Sequence, residues 1–199
     1  MSLPPASPER KLMHRRSIDV HVYARDDGLW EVDAHLCDAK THDVTLAQGV
    51  RLAGEPVHDM LLRLVVDTQL TIHEAGAETR RMPYPGRCDD HGDAYARLVG
   101  LNLLKGFRHE VKARLGGVKG CTHLTEMSQV LPTAVMQAFA GVVLDTREGP
   151  GGDVPPFQLD RCHALRRDGE SVKTYYPRWF RAPPSTLADA MADGTSTLS

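Results

Sequence analysis

Hydrophobic and polar positions alternate strictly over two early stretches. Ile18, Val20 and Val22 alternate with Asp19, His21 and Tyr23; then Trp30, Val32, Ala34 and Leu36 alternate with Glu31, Asp33, His35 and Cys37. A period of two marks a strand with one buried face. Between the stretches lies Asp26-Asp27-Gly28, and Asp-Gly supplies the positive φ of a tight hairpin turn. Residues 17–38 are therefore predicted to form a β-hairpin, with His35 and Cys37 opposite the Trp30 face. Polar residues 39–59 read as a loop carrying Gly49, Gly54 and Pro56. A run from Leu61 to Asp67, apolar on both faces except for Arg63, predicts a strand covered on both sides. A turn near Thr68 leads to a partner strand at Leu70–Ala75, completing a second hairpin.

After the loop Met82-Pro83-Tyr84-Pro85-Gly86-Arg87-Cys88-Asp89-Asp90-His91-Gly92 the period becomes helical: Leu98, Leu101, Leu104, Phe107, Val111, Leu115. Gly116-Gly117 supplies a C-terminal stop, and Gly106 predicts a break. A second helical stripe follows Gly120, through Leu124, Met127, Leu131, Val135 and Ala138. Thr122 is the expected N-cap, and Pro132 predicts a kink or two shorter helices. Strands grouped before helices predict an α+β fold: an antiparallel sheet from two hairpins, with two or three helices packed on one face.

The expected organisation is a flexible basic arm over 1–16, a single domain over 17–144 and a Gly/Pro linker over 145–160. An aromatic-rich segment over 161–181, with Tyr175-Tyr176-Pro177-Arg178-Trp179-Phe180, is expected to dock on the domain, and 182–199 to form a disordered tail.

Composition narrows the function classes. The 199 residues carry 24 Lys+Arg against 26 Asp+Glu, a formal charge of −2. Nothing in that balance calls for nucleic acid or an anionic membrane as partner. No apolar run approaches the ~20 residues of a membrane span, and Met1-Ser2-Leu3-Pro4-Pro5 lacks the apolar core of a secretory signal. The expected location is the cytoplasm. The four cysteines, Cys37, Cys88, Cys121 and Cys162, form no CxxC pair, so a disulfide framework is not expected.

Candidate chemistry centres on Gly120-Cys121-Thr122-His123-Leu124-Thr125-Glu126, which places a thiol, an imidazole and a carboxylate at a helix start. Cys and His are natural ligands of zinc and of related divalent metals. The pair equally describes a buried thiol beside a capping imidazole. His58-Asp59 reads as a ligand and general-base pair or as a surface pair. Cys88 with His91 reads as a metal corner or as two unrelated loop residues, and Cys162-His163 is a third Cys/His location. Two versions of one site result. In the first, Cys88, Cys121 and His58 or His123 hold the ion with one position open, and Asp59 or Glu126 is the general base. In the second, Cys121 attacks as a thiolate, with His123 or His58 as base.

Arg51-Leu52-Ala53-Gly54-Glu55-Pro56-Val57-His58-Asp59-Met60, Pro83-Tyr84-Pro85-Gly86-Arg87-Cys88 and Gly120 to Glu126 resemble the bacterial domain-of-unknown-function family 2889. Arg25-Asp26-Asp27-Gly28-Leu29-Trp30 and Tyr176-Pro177-Arg178-Trp179 fit the same resemblance, which covers most of residues 14–180. It implies acyl-CoA thioester chemistry of the kind found in bacterial aromatic-acid degradation, and hence a thioester hydrolase with a small-molecule CoA thioester as partner. A more distant resemblance, over residues 54–139, is to iron–sulfur scaffold proteins of the NifU N-terminal type. Gly54-Glu55-Pro56-Val57-His58-Asp59, Arg87-Cys88-Asp89 and Cys121-Thr122-His123 fill the three places of that pattern, with His58 near the place of the first cysteine. It implies that these residues converge, and offers a non-catalytic metal or iron–sulfur carrier as the alternative function.

Overall fold

The computed structural model describes residues 3–147 and 153–182. Six strands and four α-helices occur among them: β1 (His14–Ala24), β2 (Trp30–Lys40), β3 (Val44–Leu46), β4 (Gly49–Arg51), β5 (Pro56–Val66), β6 (Ile72–Arg81), α1 (Phe107–Leu115), α2 (Thr122–Ser128), α3 (Leu131–Phe139) and α4 (Glu170–Tyr175). The fold is α+β. β1-β2-β5-β6 form a four-stranded sheet, antiparallel throughout, and β3-β4 form a small separate hairpin. The chain divides into two compact units, one ending at Ala138 and the second beginning at Phe139.

The β1–β2 hairpin turns where the Asp-Gly signal places it. Gly28 has φ +82, and Arg25 N–H donates to the Leu29 carbonyl at 2.9 Å. One face of β2 buries Val32, Ala34, Leu36 and Asp38; the other leaves Glu31, Asp33, His35 and Cys37 half-buried. Three differences from the sequence expectation extend the sheet. The arm does not run to residue 16, because His14, Arg15 and Arg16 pair with Lys40, Ala39 and Asp38 on β2. Residues 39–59 are not one loop: they contain β3 and β4, and β5 starts at Pro56. The partner strand β6 continues to Arg81.

The two faces of β5 carry different chemistry. Met60, Leu62, Leu64 and Val66 are buried on the core face, which His58 shares, whereas Asp59, Leu61 and Arg63 face the other way. That core face meets α2, which packs on β2 and β5. Tyr95, Leu98, Val111, Leu124, Met127 and Leu131 complete the core. Burying a side chain of this size contributes about 1.5–3 kcal/mol each.

The helical region breaks where its glycines fall. Residues 92–98 form a short 3-10 turn, Gly100 and Gly106 have φ +81 and +69, and α1 starts only at Phe107. Pro132 falls on the second residue of α3, where a missing N–H costs little. It therefore separates two short helices, the second of the two arrangements expected.

The second unit has its own small core. Leu159 and Val172 are buried, and Gln158 Nε2 donates to both the Thr146 carbonyl and the Tyr176 hydroxyl, at 2.8 and 2.9 Å. The Tyr176-Pro177-Arg178-Trp179 segment thus packs with residues of its own unit. The Gly/Pro stretch 148–152 and the tail beyond residue 182 lie outside the described residues. Among the described residues no helix is long and apolar enough to cross a membrane.

Candidate metal centre

A single rung crosses the core face of the sheet at one end. Arg16 on β1 stands opposite Asp38 on β2, which stands opposite His58 on β5. Asp38 is the residue on which the rung turns. It is 3% exposed, at a position where the β2 alternation otherwise places Val32, Ala34 and Leu36. An ionised carboxylate is buried at tolerable cost only when its lone pairs are filled. Arg16 takes one lone pair on each oxygen in a fork, Nε donating to Oδ1 and Nη2 to Oδ2, both at 2.8 Å. His14 Nε2 lies 3.2 Å from Oδ1, and His58 Nδ1 lies 3.0 Å from Oδ2.

The fourth wall is α2. His123 reaches down from its first turn and places Nε2 3.7 Å from Asp38 Oδ2. Its ring lies against that of His58, centroid to centroid 3.9 Å, tilted by 33°. Glu126, one turn further on, accepts from Arg16 Nη1 at 2.6 Å. Arg16 therefore ties the buried carboxylate to the exposed one.

Tyr95 sets the position of α2. Its side chain is fully buried. The hydroxyl is 2.9 Å from both the Cys121 carbonyl and Thr125 Oγ1, and accepts the Cys121 N–H at 3.1 Å. Cys121, rather than Thr122, occupies the N-cap position, and its side chain makes no capping bond. Gly120 is required just before it: a Cβ there would collide with the Leu115 carbonyl oxygen.

The electrostatics favour the neutral form of both imidazoles. Burial, then the neighbouring His123, pushes the His58 pKa below its ordinary value, against the pull of Asp38. Burial, then Arg16, does the same for His123. Burial alone would raise the Asp38 carboxyl, but the hydrogen bonds and charge of Arg16, reinforced by His58, bring it below the usual range. Arg16, bonded to Asp38, is held more firmly protonated than usual. Two neutral imidazoles and one carboxylate are thus presented together. One ligand atom from each of Asp38, His58 and His123 lies within 4.8 Å of the others. Two His and one carboxylate are a donor set for zinc and for iron.

Of the residues expected at the site, His58, His123 and Glu126 come together. Cys121 adjoins them: its Sγ is 3.9 Å from His123 Nδ1, the ring nitrogen turned away from Asp38. Asp59 lies elsewhere. It shares a strand with His58 but points through the sheet, where Oδ1 meets His35 Nε2 at 2.8 Å. Cys88 sits in the 82–91 loop, half-buried, and is not in the ligand group; His91 Nε2 bonds the Lys119 carbonyl instead. Asp38, Arg16, His14 and Tyr95 were not read from the sequence. The readable signal was phase: Asp38 continues the apolar series Val32, Ala34, Leu36, and a charge in a core phase demands a partner.

A broad concavity of about 620 Å³ on the opposite face of the sheet, lined by Arg63, Glu74, Glu78 and Arg80 among others, has none of the cluster residues in its wall.

No curated protein and no solved structure matches the chain. The distant likeness to iron–sulfur scaffolds therefore gains no support from a relative. Residues 14–137, which span β1 to α3 and so contain every residue of the cluster, match the family described as a protein of unknown function, DUF2889; the chain belongs to that family.

Proposed function

We propose that Asp38, His58 and His123 hold a zinc-class divalent ion and that the protein is a metal-dependent hydrolase of acyl-CoA thioesters, with aromatic acyl groups as the expected class. One observation carries the reading: three metal-competent side chains from β2, β5 and α2 meet within 4.8 Å. Three protein ligands leave a position open, as catalytic zinc sites do and closed structural sites do not. The ion would supply Lewis acidity toward the thioester carbonyl and make water available as a nucleophile near pH 7. The chain's own residues do the rest. Glu126, the exposed carboxylate at the mouth, takes the proton from water. Arg16 orients Asp38 and Glu126 together, donating to both carboxylates. Cys121 Sγ lies 3.9 Å from the outer nitrogen of His123 and helps to hold the ring in place.

Elemental analysis of purified protein, combined with thiol release from a panel of acyl-CoA thioesters, tests this reading. Stoichiometric metal, with turnover lost in His58→Ala and Asp38→Asn, is the expected result. A metal-free protein that turns over at full rate would end it and leave the Cys121 thiolate version, which the 3.9 Å Cys121–His123 contact favours.

The alternative is a non-catalytic metal carrier. It draws on the enclosure of the ligands, with the Asp38 side chain 4% and the His58 side chain 16% exposed. Metal binding without turnover of any thioester would select it.

A further inference from the structure

A second cavity of about 440 Å³ opens between α1 and α2, lined by Arg108, Lys112, Thr122, Glu126 and Gln129, with Gly116 and Gly117 at its base. Glu126 is common to this cavity and to the metal cluster, which it joins through Arg16. The two cations stand one helical turn apart on α1, with Cβ atoms about 5–6 Å from each other. Like charges at that spacing repel, and neither has an anionic partner among the described residues. Two neighbouring basic groups differ in being satisfied: Arg114 bonds Glu110 at 3.2 Å and the Arg97 carbonyl at 2.8 Å, and Lys119 bonds the Ala113 carbonyl at 3.0 Å. Glu126, the one acidic residue of the cavity wall among the described residues, is engaged by Arg16.

We propose that this cavity is the anion subsite of the same active site: Arg108 and Lys112 bind paired phosphates of the substrate, while its reactive carbonyl lies past Glu126 at the metal cluster. The inference rests on the hydrolase reading for the position of the carbonyl, but not for the binding of phosphate. Gln129 and Thr122 offer an amide and a hydroxyl to the same group. The spacing of the cations suits a diphosphate or two neighbouring phosphate esters, and Coulomb attraction at an exposed site of this kind weakens with salt.

Calorimetric titration of the full chain with CoA and, separately, with inorganic pyrophosphate tests the subsite. Wild type and His35→Ala, a change on the far face of the sheet, should bind CoA equally, and Arg108→Gln/Lys112→Gln should bind it at least about tenfold more weakly; both substitutions of the double variant are on exposed positions of α1. Pyrophosphate binding lost in the same double variant identifies the diphosphate as the recognised group. CoA binding that depends on the cations while pyrophosphate does not bind assigns recognition to the wider nucleotide phosphates. No CoA binding by wild type, or undiminished binding by the double variant, overturns the proposal. The hydrolase reading is scored apart, by metal content: a cation-dependent CoA site on a protein that takes up no metal upholds the subsite and removes the metal.

Discussion

Asp38 and His58 face one another across β2 and β5, His58 Nδ1 3.0 Å from Asp38 Oδ2, at a depth where the carboxylate side chain is only 4% exposed. Arg16 forks onto the same carboxylate from the other side. Removing the charge while keeping the shape separates these effects. Asp38→Asn should lower stability by about 2–4 kcal/mol, since it leaves charged hydrogen-bond partners without their acceptor in a buried place. Urea denaturation measures it. A loss under about 0.5 kcal/mol, the size of an ordinary surface change, would mean that the rung contributes little.

Metal affinity should separate the two faces of the sheet. His58→Ala should weaken zinc binding by at least about tenfold, a loss that even an outer-sphere partner can cause. His35→Ala, on the same sheet but paired with Asp59 on the far side, should leave it unchanged. Competition with a chromophoric chelator reads both. Equal losses from the two variants would place the ion elsewhere.

Acid should destabilise the fold sooner than the carboxylates alone require. His58 and His123 are held below the ordinary imidazole value of 6.5. The unfolded chain therefore takes up protons that the folded one refuses, and stability rises with pH in that range. The contribution is complete above about pH 6.5 and is lost as pH falls through the depressed folded values. Asp38, also depressed, adds a loss of the same sign below its own ordinary range. Urea midpoints from pH 7.5 to 5 should decline, and His58→Gln should flatten the decline. A wild-type midpoint that holds steady down to pH 5 would contradict the depressed imidazoles.

Tyr95→Phe should cost about 1–3 kcal/mol, because it strands the Cys121 N–H inside the protein. It should also weaken zinc binding without touching a ligand, since α2 carries His123. Hydrogen exchange at the Cys121 amide reports the first effect directly. Slow exchange retained in the variant would show that another group anchors the helix.

The hairpins were legible because alternation and an Asp-Gly turn are local signals, and β1, β2 and the turn at Gly28 follow them. The start of β5 was not. Gly54 and Pro56 read as loop residues, yet Pro56 begins a strand whose pairing is decided by β2, a long-range contact with no local signature. That error concealed the site. Once β5 includes His58 and Asp59, a period of two sends them to opposite faces, and the adjacent pair cannot serve one centre. Cys88 and Cys121 drew attention as residue types, whereas the residue on which the cluster turns, Asp38, was marked only by its phase. The contribution of Arg16 and His14 was hidden for a similar reason: basic residues near a terminus look solvated until a strand register places them over a buried charge.

The rung Arg16–Asp38–His58 sits beside two irregularities of the ladder, one between Asp38 and Ala39, the other between Asp59 and Met60. Side chains on a strand change face with every residue, so the pairing there holds the chemistry in place by count alone. Deleting one residue from β2 ahead of Asp38 would leave a strand of nearly the same length, but its carboxylate would be turned to the face where His35 now stands. The fold could survive that change; the centre could not. Along this stretch, architecture and chemistry are one residue apart.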